Sequence, residues 1–483
     1  MVVFMRHLLP AALLICTPAL AIAAEAEAPA LDSALATQAL ELRDKAMTQS
    51  QAYEILQSLT QEIGPRLAGS PGDQAAVVWA LVKMDELGLQ NVRTQDVMVP
   101  HWERGHLSVK INAPNPQNLS AVALGGSVGT GEEGIEAPVL MVQSLDELAA
   151  LAPAQVEGTI VFLPGRMQRA KDGSGYGPAV KKRGSGASIA AALGARALII
   201  RSVGTDNNRL GHTGALRYDP TQPRIPAVAL SNPDADILEY QLGQGQPVTV
   251  HITLSARYLD PARSANVIGE IPGSDRADEI VIIGGHLDSW DLGTGAIDDG
   301  AGVAISLETA HQILNSGLRP SRTIRVVLFA NEEFGLSGGK EYGRLADADK
   351  HIIGLESDFG PGRVWKLDSR VAPEALGKVS AMQALLTDLG VEPGNNESGG
   401  GADISPLRKA GMPVLAPGQD GTFYFDIHHT ANDTLDKVNK DDLDQNVAVY
   451  TTLTWIAANV EGDFGRLPVE IDEAAKQDTA ARQ

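Results

Sequence analysis

Residues 279–288 read Glu279-Ile280-Val281-Ile282-Ile283-Gly284-Gly285-His286-Leu287-Asp288. A β-branched apolar run without alternation reads as a strand over 279–284, buried on both faces. It ends in two glycines, then a histidine and a carboxylate two positions apart. Downstream, a helical pattern at 301–315 precedes a strand at 323–330, a helix from about 336 and a strand at 351–356. This alternation predicts an α/β fold with a mixed, mostly parallel sheet sandwiched by helices. Ligands in such folds gather beyond the carboxyl ends of strands. The polar clusters of this chain fall at those ends.

Five clusters carry the chemistry. In Gly284-Gly285-His286-Leu287-Asp288-Ser289-Trp290, His286 can give one ring nitrogen to a metal while Asp288 fixes the other. A metal-free His–Asp hydrogen bond reads equally well. Gly295-Ala296-Ile297-Asp298-Asp299-Gly300 sets paired carboxylates before a helix, where a plain N-cap is the simpler account. Asn331-Glu332-Glu333-Phe334 follows the buried run Val326-Val327-Leu328-Phe329. Adjacent residues on extended backbone point to opposite sides, so one glutamate can bind metal while the other faces substrate and water. Glu356-Ser357-Asp358 and His428-His429-Thr430-Ala431-Asn432-Asp433-Thr434 complete the set. Each cluster alone has a structural explanation. In this order they match a two-zinc site with one bridging carboxylate, and such ions lie about 3.5–4 Å apart.

Composition limits the alternatives. The 483 residues are 43% hydrophobic and 20% charged, ordinary for a globular chain long enough to bury a large core. The formal charge of -21 argues against nucleic acid or anionic membrane as the main partner. Arg6 and His7 precede an apolar run and a small-residue stretch, so residues 1–24 read as a secretory signal peptide. No later segment offers about eighteen consecutive apolar residues, so no membrane insertion is expected. The lone cysteine, Cys16, lies in the signal segment, which leaves His, Asp and Glu to hold any metal.

Residues 25–112 and 258–468 are read as two parts of one catalytic domain, interrupted by an α/β insert at 113–257. The stretch from 25 to about 35 is expected to be a flexible leader and 469–483 a flexible tail. Within 113–257, short β-branched runs such as Ile160-Val161-Phe162-Leu163 alternate with glycine-rich loops. The small-residue helical pattern at 188–193 feeds a strand at 197–200.

Taken together, these motifs resemble the co-catalytic zinc aminopeptidase-like family, which includes bacterial leucyl aminopeptidases and glutamate carboxypeptidases. The likeness runs from Ile63-Gly64-Pro65-Arg66-Leu67-Ala68-Gly69-Ser70 to His429. The insert resembles a protease-associated domain around Ile200-Arg201-Ser202-Val203, His212-Thr213-Gly214 and Ile225-Pro226-Ala227. The resemblance implies two Zn2+ per chain, with His286 and Asp358 on one, Glu333 and His429 on the other, and Asp298 bridging. It assigns Glu332 as general base, Asp288 as the residue that orients His286, and His428 to oxyanion or substrate contact. It further implies a cis Asp298–Asp299 peptide, short peptide substrates and a homodimer. Asn331 departs from the family pattern, but no expected ligand is missing. His101, His106, His251, His311 and His351 lack ligand-like context and are expected to be structural. The metal motifs do not separate dipeptidase, carboxypeptidase and aminopeptidase activity. A non-catalytic binding protein or a glutaminyl cyclase-type transferase on the same scaffold is disfavoured by the full ligand set.

Overall fold

The computed structural model describes residues 31–470; the expected signal segment and all but the first two residues of the expected tail lie outside them. Two eight-stranded sheets organise the chain. At the centre of the first, Arg276–His286 lies between Arg322–Phe329 and His351–Glu356 and is parallel to both. The order continues through Val414–Gln419, Val364–Arg370 and Glu392–Pro393 on one side, with one antiparallel step, and through the antiparallel strands Arg257–Ile271 and Gln90–Glu103 on the other. The sheet is therefore mixed, with parallel strands at its middle.

Side-chain alternation along these strands builds a core on each face. Val281, Ile283, Ile324, Val326 and Leu328 pack with the helices Ala301–Asn315 and Lys440–Asn459. Ile282, Val327 and Phe329 turn the other way, onto Tyr342 of the helix Ser337–Leu345 and onto Leu407. Helix Ser33–Gln49 lies against Lys440–Asn459. The expected leader is thereby corrected at its end. Asp32 Oδ1 accepts from the Ala34 and Leu35 amides, capping the helix, and Leu35 is buried. In the expected tail, Glu470 accepts from Arg370 and Arg408 and so is tied to the fold.

The second sheet is built from residues 107–254. Its strands Ile135–Met141, Ile160–Leu163, Ala197–Arg201 and Ala227–Leu230 are parallel, with antiparallel neighbours at both ends. Leu198 and Ile200 face the helix Tyr176–Ala192, while Ile199 and Val228 face Ala235 and Leu238 of the helix Asn232–Gly243. The strand Leu107–Ala113, just before the expected insert boundary, pairs in this second sheet. The chain passes between the sheets twice, through Gln90–Glu103 and Arg257–Ile271, which pair antiparallel from Gln90↔Glu270 to Glu103↔Arg257. Among the described residues, no helix is long and apolar enough to cross a membrane.

Arg66 braces the loops beyond the central strands. Fully buried, it donates to the carbonyls of Leu287, Gly64, Thr294 and Gly295 at 2.7, 3.0, 2.6 and 2.9 Å. Burial pulls its guanidinium down to about 10, still protonated at neutral pH, with Asp433 and Asp288 opposing the shift. Removing a buried donor of this kind strands several acceptors. Arg66→Ala is expected to cost about 3–5 kcal/mol of unfolding free energy in urea titrations. Arg66→Lys should restore only a minor part of it, because an ammonium lacks the planar fork.

Candidate metal centre

Each cluster arrives at the centre from a different loop. His286 ends the central strand, and its backbone amide donates to Asp299 Oδ2 at 3.0 Å. The Gly302 amide donates to Asp299 Oδ1, also at 3.0 Å. A Cβ at Gly285 or Gly302 would stand 2.4 Å from that carboxylate, so both positions need glycine. Asp298 and Asp299 are joined by a cis peptide. The loop carrying Asp298 is held by Asp433, whose Oδ1 accepts from the Ile297 amide at 2.7 Å.

Asp298 is the hub. His286 Nε2 lies 3.2 Å from Asp298 Oδ1 and 3.4 Å from Asp358 Oδ1. His429 Nε2 lies 3.1 Å from Asp298 Oδ2 and 2.9 Å from Glu333 Oε2. His428 Nε2 approaches Asp298 Oδ2 at 3.4 Å. The structure thus brings His286, Asp298, Glu333, Asp358 and His429 to one place, with His428 alongside. Asp299 also comes within reach, its ligand atom within 4.8 Å of those of His286 and Asp358. Its two oxygens are already taken by amides, which makes it a brace.

Glu332 and Glu333 leave the strand Arg322–Phe329 on a turn begun by Asn331, whose φ of 57° is a left-handed conformation that asparagine tolerates. The Glu332 and Glu333 amides donate to Asp288 Oδ1 and Oδ2 at 2.9 and 3.4 Å. His286 Nδ1 donates to the Asp288 backbone carbonyl at 3.0 Å, nearer than the Asp288 carboxylate at 3.4 Å. Asp288 therefore fixes the ring chiefly through its main chain, while its carboxylate holds the glutamate turn.

The electrostatics ask for a cation. Burial raises the carboxyls of Glu333 and Asp358, and it lifts Glu332 well above the usual range, with the charge of Asp358 adding to it. Burial opposes the charge on His286, but Asp288, Asp298 and Asp358 override it and hold the imidazole well above its ordinary value. Burial and the charge of His429 push His428 well below. His286 Nε2, Asp298 Oδ2 and Glu333 Oε1 are buried without a hydrogen-bond partner. Buried polar atoms are rarely left so. Two imidazoles and three carboxylates are a donor set suited to zinc, and the residues fit the metal.

Several contributors escaped the sequence reading. Trp290 Nε1 donates to Glu333 Oε2 at 2.6 Å. Glu356 accepts from the amides of Ala402, Asp403 and Ile404, fixing the glycine-rich segment beside Asp358. Asp403 is buried with both carboxyl oxygens unpartnered. Its segment, Ser398-Gly399-Gly400-Gly401-Ala402-Asp403, resembles one that lies beside the metals in the family, where the sequence points to a substrate contact. His351 pairs with the Tyr342 hydroxyl and the Asp347 carbonyl, away from the cluster.

A cage of imidazoles and carboxylates at the carboxyl ends of a parallel sheet core defines a metallohydrolase. The model of peptidase family M28 matches residues 266–454. Carboxypeptidase Q of Bos taurus is 34% identical over 415 residues, 86% of each chain. The crystal structure of a peptidase M28 precursor from Shewanella amazonensis superposes with a TM-score of 0.88 at 46% identity, covering 90% of this chain and 99% of that one. A zinc aminopeptidase from Bacillus subtilis shares the fold at 20% identity, with a TM-score of 0.61 over 86% and 97% of the two chains. The chain belongs to peptidase family M28 and is a zinc metallopeptidase.

The protons in the cage predict its pH response. Burial lowers the His429 imidazole, but Glu333 and Asp298 overcome this and lift it to about 9. A value raised by folding stabilises the metal-free protein fully below about 6.5 and ceases to do so as pH climbs through about 9. A metal bound through His429 would have to displace the same proton. Metal-free melting temperatures should therefore fall across that interval while zinc affinity, read by competition titration, rises. A zinc affinity independent of pH there would contradict this assignment.

Proposed function

We propose that the chain is an exported di-zinc exopeptidase that hydrolyses dipeptides or short peptides, with Glu332 as general base. The observation that carries this reading is the set of unpartnered buried atoms on His286, Asp298 and Glu333. His286 and Asp358 would hold one zinc, Glu333 and His429 the other, and Asp298 both. Zinc bound there supplies the Lewis acidity that polarises a peptide carbonyl and makes water nucleophilic near neutral pH. Glu332 would accept the water's proton and return it to the leaving amine, a role suited to a carboxyl whose proton affinity is raised. Asp288 keeps Glu332 aimed by accepting its amide. His428, its Nδ1 unpartnered, would donate to the carbonyl oxygen as negative charge develops there.

Size supports a short substrate. The cavity that opens on Asp358, bordered by Asp172, Lys366, Gly400 and Gln419, holds about 310 Å³, at the small end of the range of roughly 300–1,000 Å³ for ligand sites. A larger cavity of about 530 Å³ beside Phe359, Phe423 and Lys437 carries none of the proposed ligands. Export rests on the pattern of residues 1–24. The protease-associated character of the insert and a homodimeric assembly rest on the resemblance.

Purified protein should carry about two zinc ions per chain by elemental analysis. Glu332→Gln should keep both and lose about 10²–10⁴-fold in kcat; near-wild-type turnover would remove Glu332 from the role of base. In a panel of dipeptides with free, acetylated and amidated ends, free dipeptides should be cleaved fastest. Rapid cleavage of long peptides, blocked only by acetylation, would favour the aminopeptidase reading.

A further inference from the structure

The turn that carries His428 and His429 is held from the other sheet. His429 has φ 62°, a left-handed conformation that a non-glycine residue seldom adopts unless held there. Its own chain supplies local bonds, from the Thr430 amide to the Ile427 carbonyl and from the His428 amide to the Tyr424 carbonyl. The carbonyls of His428 and His429 themselves, among the described residues, are met only by the segment His212-Thr213. His212 Nδ1 donates to the His428 carbonyl at 2.7 Å, and the Thr213 amide donates to the His429 carbonyl at 3.0 Å. In return, His429 Nδ1 donates to the Thr213 carbonyl at 3.3 Å, which directs Nε2 toward Asp298 and Glu333.

His212 is itself over-determined. Its Nε2 lies 2.8 Å from Asp206 Oδ1, and Asp206 Oδ2 accepts from the Asn208 amide at 2.8 Å. The His212 amide donates to Ser202 Oγ at 2.9 Å. A Cβ at Gly204 would stand 2.3 Å from the imidazole, so glycine lets the backbone lie flat against the ring. His212 and Asp206 are both buried, 1% and 6% exposed. A buried dyad with one nitrogen on the carbonyl of the neighbouring lobe does more than fill space in its own sheet.

We infer that His212, fixed by Asp206, is a positioning residue for His429. The cation held by Glu333 and His429 then depends on the second lobe, and the cation held by His286 and Asp358 does not. The inference rests on the two-zinc reading above. Outer partners of a ligating histidine typically govern metal affinity by 10–100-fold; here that partner is the Thr213 carbonyl, next in the chain to His212, whose ring ties the same segment to the His428 carbonyl.

The test is graded removal of zinc from the holoenzyme with a chelator, counting zinc per chain, together with the melting temperature of the zinc-free protein. His212→Ala should release one zinc at chelator concentrations about 10–100-fold below those needed for wild type, and the other zinc at the wild-type concentration. His212→Asn, whose side-chain amide still reaches the His428 carbonyl, should recover most of the loss. Asp206→Asn, which preserves the ring, should weaken the same zinc by less. Added to His429→Ala, His212→Ala should have no further effect on zinc release. Equal retention of both ions in His212→Ala and wild type would overturn the inference, as would loss of both together. Should His212→Ala not fold, unchanged zinc release in Asp206→Asn would overturn it as well. A wild-type protein holding fewer than two zincs would instead remove the two-zinc reading, and this inference with it.

Discussion

Negative charge crowded into a dry space is the constraint from which the rest of this structure follows. Asp298, Glu333 and Asp358 converge with Glu332, and two imidazoles offset them only in part. Like charges at such separations in a poorly screened interior repel strongly. The surrounding fold accordingly works to hold these groups where they are. Arg66 ties down the loops that carry His286 and Asp298, Asp433 pins the second of these, and Asp288 holds the glutamate turn. Each brace ends on backbone, so the loop positions are set apart from the side chains that line the cage.

The two sheets contribute differently. The first supplies every side chain of the cage, because its parallel strands end together. The second sheet supplies none, yet its segment around His212 and Thr213 meets the carbonyls on which the His429 conformation depends. Other contacts join the lobes nearby: the Thr205 amide donates to the Phe425 carbonyl at 3.0 Å, and Tyr176 stacks on Phe425 with ring centroids 4.9 Å apart. The lobe without chemistry of its own is built into the wall of the site.

The chain betrays its strands through apolar runs and its metal-directed residues through polar clusters at their ends. Residues 351–356 coincide with the strand, and the helix at 301–315 is found as expected. These signals are local, because burial on both faces leaves a contiguous run. The helix that starts at Ser33 was hidden by an alanine-rich composition that reads as leader, although Asp32 is a recognisable cap. His212, Arg66 and Asp433 were beyond reach for a different reason. The loops they brace lie more than a hundred positions away, and nothing in the composition around them sets a bracing residue apart from an ordinary buried one. Asn331 was visible only as an oddity until its backbone angle gave it a purpose.

The paired strands Gln90–Glu103 and Arg257–Ile271 have one more consequence. Because the chain leaves and re-enters the first sheet on adjacent rungs, with Arg257 ion-paired to Glu103 at 2.7 Å, the excursion between them begins and ends at nearly the same point. A segment anchored in this way can be lengthened, shortened or exchanged as a cassette without rethreading the sheet that bears the cage. The ancestry of the two lobes need not be shared, even though the turn at His429 now ties their fates together.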